Sequence, residues 1–111
     1  MTTYYFAVAS QDFLLSEEPI EEILRERTNH YKSFNKRIDF WFVTDPLFLD
    51  ASSMSQIRDQ LLKPSAAVVS LNPKFIQWLK LRLVFVITGN FQAPSIEIPN
   101  PLGPSNNFNV P

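Results

Sequence analysis

The fold is decided by the stretch Trp78-Leu79-Lys80-Leu81-Arg82-Leu83-Val84-Phe85-Val86-Ile87-Thr88-Gly89-Asn90. It is an apolar segment that carries two cations and a late glycine, and it contains no acidic residue. The nearest acids in the sequence are Asp59 and Glu97. Cations without a nearby acid, set among apolar and aromatic residues, suit a protein-docking surface better than a catalytic centre.

This stretch continues a helix that starts at Asn72-Pro73, a cap followed by a first-turn proline. Helical spacing favours a helix as far as about Ile87, with Gly89 at the position just beyond its end. Val84 to Thr88 also has strand propensity. The alternative is therefore a helix to Leu83 followed by a strand.

The preceding residues alternate between strand and helix patterns. An aromatic, β-rich start predicts a strand, with Tyr4 and Phe6 on one face. Ser16 is a plausible cap for the helix that follows a short loop. The predicted elements are a strand Thr2–Ala9, a loop Ser10–Ser16, a helix Glu17–Ser33, a strand Arg37–Val43, a helix Ser53–Leu62 and a strand Ala66–Leu71.

These elements predict a single α+β domain. We expect residues 1–93 to form the globular part and residues 94–111 to form a Pro-rich tail with little packing of its own. A chain of 111 residues is long enough for one core. Its 45% hydrophobic and 14% aromatic content is typical of a folded domain.

Charge is nearly balanced, with 10 basic and 11 acidic residues, and so gives no electrostatic case for a nucleic-acid partner. The balance conceals a split along the chain. All but one of the acids lie between Asp12 and Asp59, and no acid lies between Gln60 and Pro94. Such asymmetry can orient a partner, or the two regions can pair with each other in the fold.

The chain has no cysteine, which excludes disulfides, zinc–thiolate sites and thiol nucleophiles. The N-terminus lacks the basic and apolar regions of a signal peptide. The longest apolar stretch, Phe75 to Thr88, is interrupted by Gln77, Lys80 and Arg82 and is too short to span a membrane. We therefore expect a soluble chain, peripheral to a membrane at most.

No pattern of catalytic residues is found. Two glycines cannot build a phosphate-binding loop, and no serine lies in a nucleophile elbow. His30 follows Glu18, Glu22 and Glu26 at four-residue spacing, which in principle could bind a metal. A solvated helix face is the favoured interpretation, because no second carboxylate-bearing helix would complete such a site. We expect no enzyme activity, no cofactor and no metal site.

Asp39 and Arg82 each have two interpretations. Asp39 falls in the middle of a predicted strand, where aspartate is disfavoured. It is either a solvent-facing residue or an anion that gives specificity to a binding surface beside Phe40 or Trp41. Arg82 is either an exposed cation one helical turn from Trp78 or an internal partner for an acid, and an Asp39–Arg82 salt bridge would satisfy both residues.

The chain resembles a known family on four segments taken together. They are Tyr4-Tyr5-Phe6-Ala7-Val8-Ala9-Ser10, the helix from Glu18-Pro19 to Tyr31, Ile38-Asp39-Phe40-Trp41-Phe42-Val43, and Asn72-Pro73-Lys74-Phe75-Ile76-Gln77-Trp78-Leu79-Lys80-Leu81-Arg82-Leu83 continuing to Gly89. On these it is similar to the hypothetical chloroplast reading frame fifty-four family of cyanobacteria and plastids. The resemblance extends from Thr3 to about Leu102.

The resemblance implies an antiparallel sheet covered by helices and a non-catalytic accessory factor of chlorophyll biosynthesis. The implied partner is the membrane-associated di-iron subunit of the aerobic magnesium-protoporphyrin IX monomethyl ester cyclase. The implied location is a cyanobacterial cytoplasm or plastid stroma, peripheral to thylakoid membranes through that partner. The family's partner-docking positions match Asp39, Phe40 and Arg82, and we add Trp78 and Lys80 for their helical proximity to Arg82.

Two rival functions stay open. Aromatic residues at Phe40, Trp41, Phe75 and Trp78 would suit a carrier that binds the porphyrin substrate between helix and sheet. A metal chaperone for the cyclase would instead use Glu22, Glu26 and His30.

Overall fold

Five antiparallel strands form one sheet in the computed structural model, which describes residues 1–61, 63–103 and the backbone of 105–106. The strand order is β4-β1-β3-β2-β5. The strands are β1 Thr2–Ser10, β2 Phe40–Thr44, β3 Ser65–Ser70, β4 Ile87–Ala93 and β5 Ser105–Asn106. The helices are α1 Ile20–Ser33, α2 Ser55–Gln60 and α3 Pro73–Leu83. The α+β architecture with an antiparallel sheet is confirmed.

The first predicted helix is displaced and the loop before it is partly helical. Residues Phe13–Glu17 form one turn of π-helix, closed by the Glu18 amide, which donates to the Phe13 carbonyl at 2.8 Å. Pro19 separates this turn from α1 and makes no side-chain cap. The prediction of a continuous helix from Glu17, capped by Ser16, is therefore wrong by one turn.

The second predicted strand is wrong at its start, because β2 begins at Phe40 and not at Arg37. α1 ends with Asn35 at φ 55°, and the Lys36 amide donates to the Tyr31 carbonyl at 2.9 Å. This is the Schellman arrangement, in which a left-handed residue closes the helix. Asp39 therefore lies immediately before the strand and not in its middle, and its carbonyl accepts from the Leu71 amide at 2.9 Å.

The second predicted helix, Ser53–Leu62, is found in part. Residues Ser52–Met54 form a short 3₁₀ turn that leads into α2. Another 3₁₀ turn, Leu47–Asp50, follows β2. Leu62 lies outside the described residues. β3 is central in the sheet and buried along its whole length, as its small apolar residues predict.

The favoured extension of the third helix to about Ile87 is wrong, and the alternative, a helix to Leu83 followed by a strand, is confirmed. The Asn72 side chain accepts from the Lys74 amide as expected of a cap, but α3 ends at Leu83. Val84 has φ 67° and ψ −53°, and the Phe85 amide donates to the Leu83 carbonyl at 2.7 Å. This is a γ-turn with positive φ, a rare and strained conformation. It needs no glycine, and Gly89 instead lies within β4.

Two apolar clusters cover the two faces of the sheet. α1 and α3 pack over one face, where Leu24, Phe40, Phe75 and Leu79 are buried. The 3₁₀ turns and the segment after β4 cover the other face. That second cluster contains Phe6, Val8, Val43, Phe48, Leu49, Ala51, Met54, Ala67, Val69, Phe91, Ala93 and Ile98.

The Pro-rich segment packs more than expected. Ile98 is buried in the second cluster, and Leu102 packs against it. The Gly103 carbonyl accepts from the Leu47 amide at 2.9 Å, which ties the segment to the 3₁₀ turn. Residues 104 and 107–111 of the predicted tail lie outside the described residues. Within the described chain, no helix has both the length and the apolar character needed to cross a bilayer.

Candidate docking surface

Asp39 is anchored to the C-terminal half of α1. Its Oδ1 accepts a hydrogen bond of 2.8 Å from the Tyr31 hydroxyl, and its Oδ2 lies 4.0 Å from the Lys36 ammonium. The side chain is 21% exposed. The carboxylate therefore has internal partners and still reaches solvent.

Arg27 links Asp39 to the aromatic residues of α3. Its Nη2 donates to the Tyr31 hydroxyl at 2.9 Å, and its guanidinium carbon lies 3.7 Å from the centre of the Phe75 ring. The Nε atom is buried and has no hydrogen-bond partner in the described chain. The cation is thus held by aromatic faces and one hydroxyl, and no carboxylate among the described residues pairs with it.

Arg82 continues this set of contacts along α3, beyond Phe75 and Trp78. The Phe75 and Trp78 rings stack with centroids 6.1 Å apart, and the Arg82 guanidinium lies 5.9 Å from the Trp78 centroid. The three residues lie on one face because their spacings are three, four and seven along α3. Trp78 is 46% exposed although its neighbour Phe75 is buried.

These contacts form one continuous array across two helices, which we call the docking strip. It comprises Asp39, Tyr31, Arg27, Phe75, Trp78 and Arg82. A groove of about 420 Å³ runs along part of it, between α1 and α3. The groove is lined by Ile23, Glu26, Arg27, His30, Phe75, Trp78 and Arg82.

Phe40 lies beneath the docking strip and not on the surface. It is 0% exposed, and its ring packs edge-on against Tyr31 at 5.4 Å and Phe75 at 5.7 Å between centroids. Its apolar area is already removed from water within the monomer. The expectation that Phe40 itself offers exposed area to a partner does not hold in this structure, and its contribution is to support the rings above it.

Lys80 lies on a different side of α3. Its ammonium donates to the Val84 and Val86 carbonyls at 2.9 and 2.6 Å and so closes the end of the helix. It lines a separate cavity with Thr88 and Asn90. Lys80 therefore stands apart from the docking strip, with which the sequence had grouped it.

The Asp39–Arg82 salt bridge does not form. Asp39 pairs with Lys36, and Arg82 packs on Trp78. Among the described residues, no ion pair joins the acid-rich region to the acid-free region. The two regions instead meet as opposite walls of the groove, where Glu26 and Arg82 both lie.

Sequence reasoning missed Arg27 as a site residue. The signal was present, because Arg27 interrupts the helical stripe of apolar residues that the sequence places along α1 from Ile20 to Phe34. Its meaning depended on Phe75, which lies 48 residues further along the chain and is brought beneath it only by the packing of α3 on the sheet.

The candidate metal ligands are not brought together into one site in the described chain. No group of three or more His, Asp or Glu side chains able to hold a metal ion occurs in the part of the chain that the structure describes. His30 packs edge-on against Phe34, with ring centroids 4.7 Å apart. Phe34 is 65% exposed, so it does not join the core stripe of α1.

Comparisons with known proteins identify the family. The family described as "Ycf54 protein" matches residues 2–93. A "Ycf54-like protein" of Synechocystis sp. is 52% identical over 102 residues, which cover 92% of this chain and 77% of that protein. The chloroplastic protein YCF54 of Arabidopsis thaliana is 38% identical over 97 residues, covering 86% of this chain and 45% of that protein.

Solved structures have the same fold. The Ycf54 A9G mutant from Synechocystis sp. PCC6803 superposes with a TM-score of 0.90 at 50% identity, covering 93% of this chain and 97% of that one. The All0216 protein from Nostoc sp. PCC 7120 gives a TM-score of 0.89 at 55% identity, covering 92% and 94%. With its sequence matched over nearly all of the folded part and its architecture shared, the chain is a member of the Ycf54 family.

Proposed function

We propose that this protein is a non-catalytic accessory factor that binds the di-iron subunit of the aerobic magnesium-protoporphyrin IX monomethyl ester cyclase. The cyclase is the partner that the family resemblance implies. The observation that carries the proposal is the docking strip. In it, contacts through buried aromatic residues connect an exposed tryptophan and an exposed arginine to a partly exposed aspartate. Association with thylakoid membranes would then be indirect, through the partner.

The composition of the docking strip supports a protein partner. Trp, Tyr and Arg dominate the binding energy of protein interfaces, and they do so where rigid side chains meet desolvated pockets. Trp78 is held by stacking on Phe75, so little side-chain freedom is lost on binding. Asp39 and Arg82 lie at opposite ends and would fix the orientation of the partner.

The proposal is tested by co-purification of a tagged cyclase subunit with variants of this chain. Arg82→Ala and Trp78→Ala should weaken capture by about tenfold or more, the range of interface hot spots. Asp39→Asn keeps the shape of the side chain and removes its charge, and should weaken capture less than Asp39→Ala. Circular dichroism of each variant separates lost binding from lost folding.

Arg25→Ala is the matched control, since Arg25 is an exposed arginine of α1 that does not line the groove. It should leave capture unchanged. Undiminished capture by Arg82→Ala, Trp78→Ala and Asp39→Ala together would refute the site and leave the proposed partner without a docking surface.

A porphyrin carrier is the second candidate, favoured by the groove of about 420 Å³ with its aromatic and cationic lining. Its aromatic residues are only partly brought together. Trp41 packs 6.4 Å from Tyr4, whose ring stacks on Phe91 of the second cluster, and Trp41 does not line the groove. Titration with the porphyrin should then quench Trp78 and spare Trp41, which the variants Trp41→Phe and Trp78→Phe resolve. Absence of saturable quenching in both would exclude this candidate.

A metal chaperone is not favoured, because the packing does not gather Glu22, Glu26 and His30 with other ligands. Calorimetric titration with Fe²⁺ tests it directly. Stoichiometric binding that is lost in His30→Ala would revive this function.

A further inference from the structure

β4 is an edge strand with an unusual lack of protection. It pairs with β1 on one side, and no strand within residues 1–61, 63–103 or 105–106 pairs with its other side. Natural edge strands are protected by charged residues, proline, bulges or short length. β4 has seven residues, and the chain carries no charge from Leu83 to Ile96.

The exposed face of β4 is polar and uncharged. Thr88, Asn90 and Gln92 lie opposite Ala7, Tyr5 and Thr3 of β1, so they project on the side of the sheet that α3 covers. All three are exposed. α3 therefore leaves the outer margin of the sheet open along this strand.

The strand is self-complementary about its middle residue. A two-fold axis through Asn90, with antiparallel pairing, places Asn90 opposite Asn90 of a second copy and Thr88 opposite Gln92. On the other face Gly89, covered by Phe6 of its own copy, lies opposite Phe91, which is buried in the second cluster. Amide and hydroxyl side chains directly opposite one another can hydrogen-bond across such a pair.

The residues that flank β4 are also self-complementary. Phe85 and Val84, before the strand, are 78% and 56% exposed. Ile96, just after it, is 100% exposed. Antiparallel pairing brings the start of one β4 near the end of the other, so each apolar group approaches its counterpart and not water.

Charge favours a second copy over an acidic or basic strand. The nearest cation, Lys80, donates to the carbonyls of Val84 and Val86 and is held against its own chain. Because the strand and its flanks have no charge, pairing about this two-fold axis brings no like charges opposite each other. A charged partner strand would find no ion on β4 itself, and the Lys80 ammonium beside it already donates to two carbonyls of its own chain.

We propose that two copies of this chain associate through β4, forming an antiparallel sheet that is continuous across both copies. The interface is isologous, since each patch is its own complement. It lies on β4 and its flanks, whereas the docking strip lies across α1 and α3, so each copy keeps its docking strip exposed.

The test is sedimentation equilibrium of the full chain over a range of concentrations up to about 1 mM, where a weak dimer would be populated. We expect the mass to rise to twice that of one chain, together with concentration-dependent protection of β4 amides from hydrogen exchange. Asn90→Lys places two ammonium groups opposite each other and should raise the dissociation constant by about tenfold or more. Gln56→Lys, an exposed position on α2, is the matched control and should leave association unchanged.

Three outcomes would overturn the proposal. One is a monomer throughout the concentration range. Another is a dimer that persists in Asn90→Lys with β4 amides exchanging freely, which would place the interface elsewhere. The third is a monomer whose capture of the cyclase subunit is lost in Asn90→Lys with the fold intact, which would assign the edge to a strand of that partner.

Discussion

The hydroxyl of Tyr31 donates to Asp39 Oδ1 at 2.8 Å and accepts from Arg27 Nη2 at 2.9 Å. One phenol therefore connects a partly exposed carboxylate to a guanidinium that packs on aromatic rings. The phenol fixes the orientation of Asp39, and through Arg27 it also connects to Phe75 on α3.

Tyr31→Phe removes both hydrogen bonds and keeps the ring. We expect a loss of about 1 to 2 kcal/mol in the free energy of unfolding, because two polar groups lose a shared partner. Urea denaturation measures it. Tyr5→Phe is the control, since the Tyr5 hydroxyl makes no hydrogen bond to the described chain, and equal losses in both variants would contradict the assignment.

Substitutions of Phe40 test whether it supports the rings of the docking strip or contacts the partner itself. Phe40→Ala should lower the free energy of unfolding by about 3 to 5 kcal/mol, because it opens a cavity beneath Tyr31 and Phe75. Phe40→Leu should cost less and retain most of the capture of the cyclase subunit. If Phe40→Leu folds normally and captures nothing, Phe40 contacts the partner directly and does not act through the rings above it.

The γ-turn at Val84 predicts a stabilising substitution. Val84→Gly should raise the free energy of unfolding by about 1 kcal/mol, since glycine adopts positive φ without the steric cost that valine bears. Thermal unfolding measures it. Leu81→Gly, inside α3, should be destabilising by a similar amount, and a destabilising Val84→Gly would show that the turn is not strained.

The Phe6 ring leaves no room for a side chain at Gly89. A Cβ at Gly89 would lie 2.7 Å from Phe6 Cζ. Gly89→Ala should therefore cost about 1 to 3 kcal/mol of stability through overpacking. In the Phe6→Leu background the added cost should fall, and a double-mutant cycle measures the difference. Additive effects would place the cost of the alanine elsewhere.

Glu97 predicts a pH dependence. Its carboxylate accepts hydrogen bonds from the Ser52 amide and the Ser52 hydroxyl, both at 3.1 Å, and these lower the pKa of Glu97. These hydrogen bonds therefore stabilise the folded state fully above the ordinary pKa of a glutamate. Their contribution is lost as the pH falls through the lowered pKa of Glu97.

Glu97→Gln should reduce stability near neutral pH and remove that part of the acid dependence. Urea denaturation at a series of pH values from neutral to acid compares it with the parent chain. Parallel stability curves for the two proteins would disprove the link.

Several elements could be predicted because their causes are local. Asn72-Pro73 predicted the start of α3 correctly, since a cap and a first-turn proline act within one turn. The alternation in β1 gave the faces of Tyr4 and Phe6 because side chains of a strand alternate. The sequence left two ends open for α3 and favoured the wrong one, because the Lys80 contacts that hold the γ-turn replace the glycine signal.

The docking strip was predicted at its ends and missed in its middle. Asp39, Trp78 and Arg82 were named from the sequence, but Asp39 was placed within a strand and Phe40 was expected at the surface. Asp39 instead precedes β2, since α1 ends in a Schellman arrangement shortly before it. Phe40 is buried because α1 and α3 pack over the same face of the sheet. Arg27 was not named, because its partners come from distant parts of the chain.

The sequence by itself determined the fold class, the positions of most helices and strands, the absence of cysteine chemistry and the separation of acidic from basic regions. These follow from residue periodicity and composition, which act over short distances along the chain. Only the tertiary structure decided which cations lie against which rings, which aromatic residues reach water and which strand is left at the edge. Those depend on contacts between residues far apart in sequence, whose geometry is set when α1 and α3 pack side by side on the sheet.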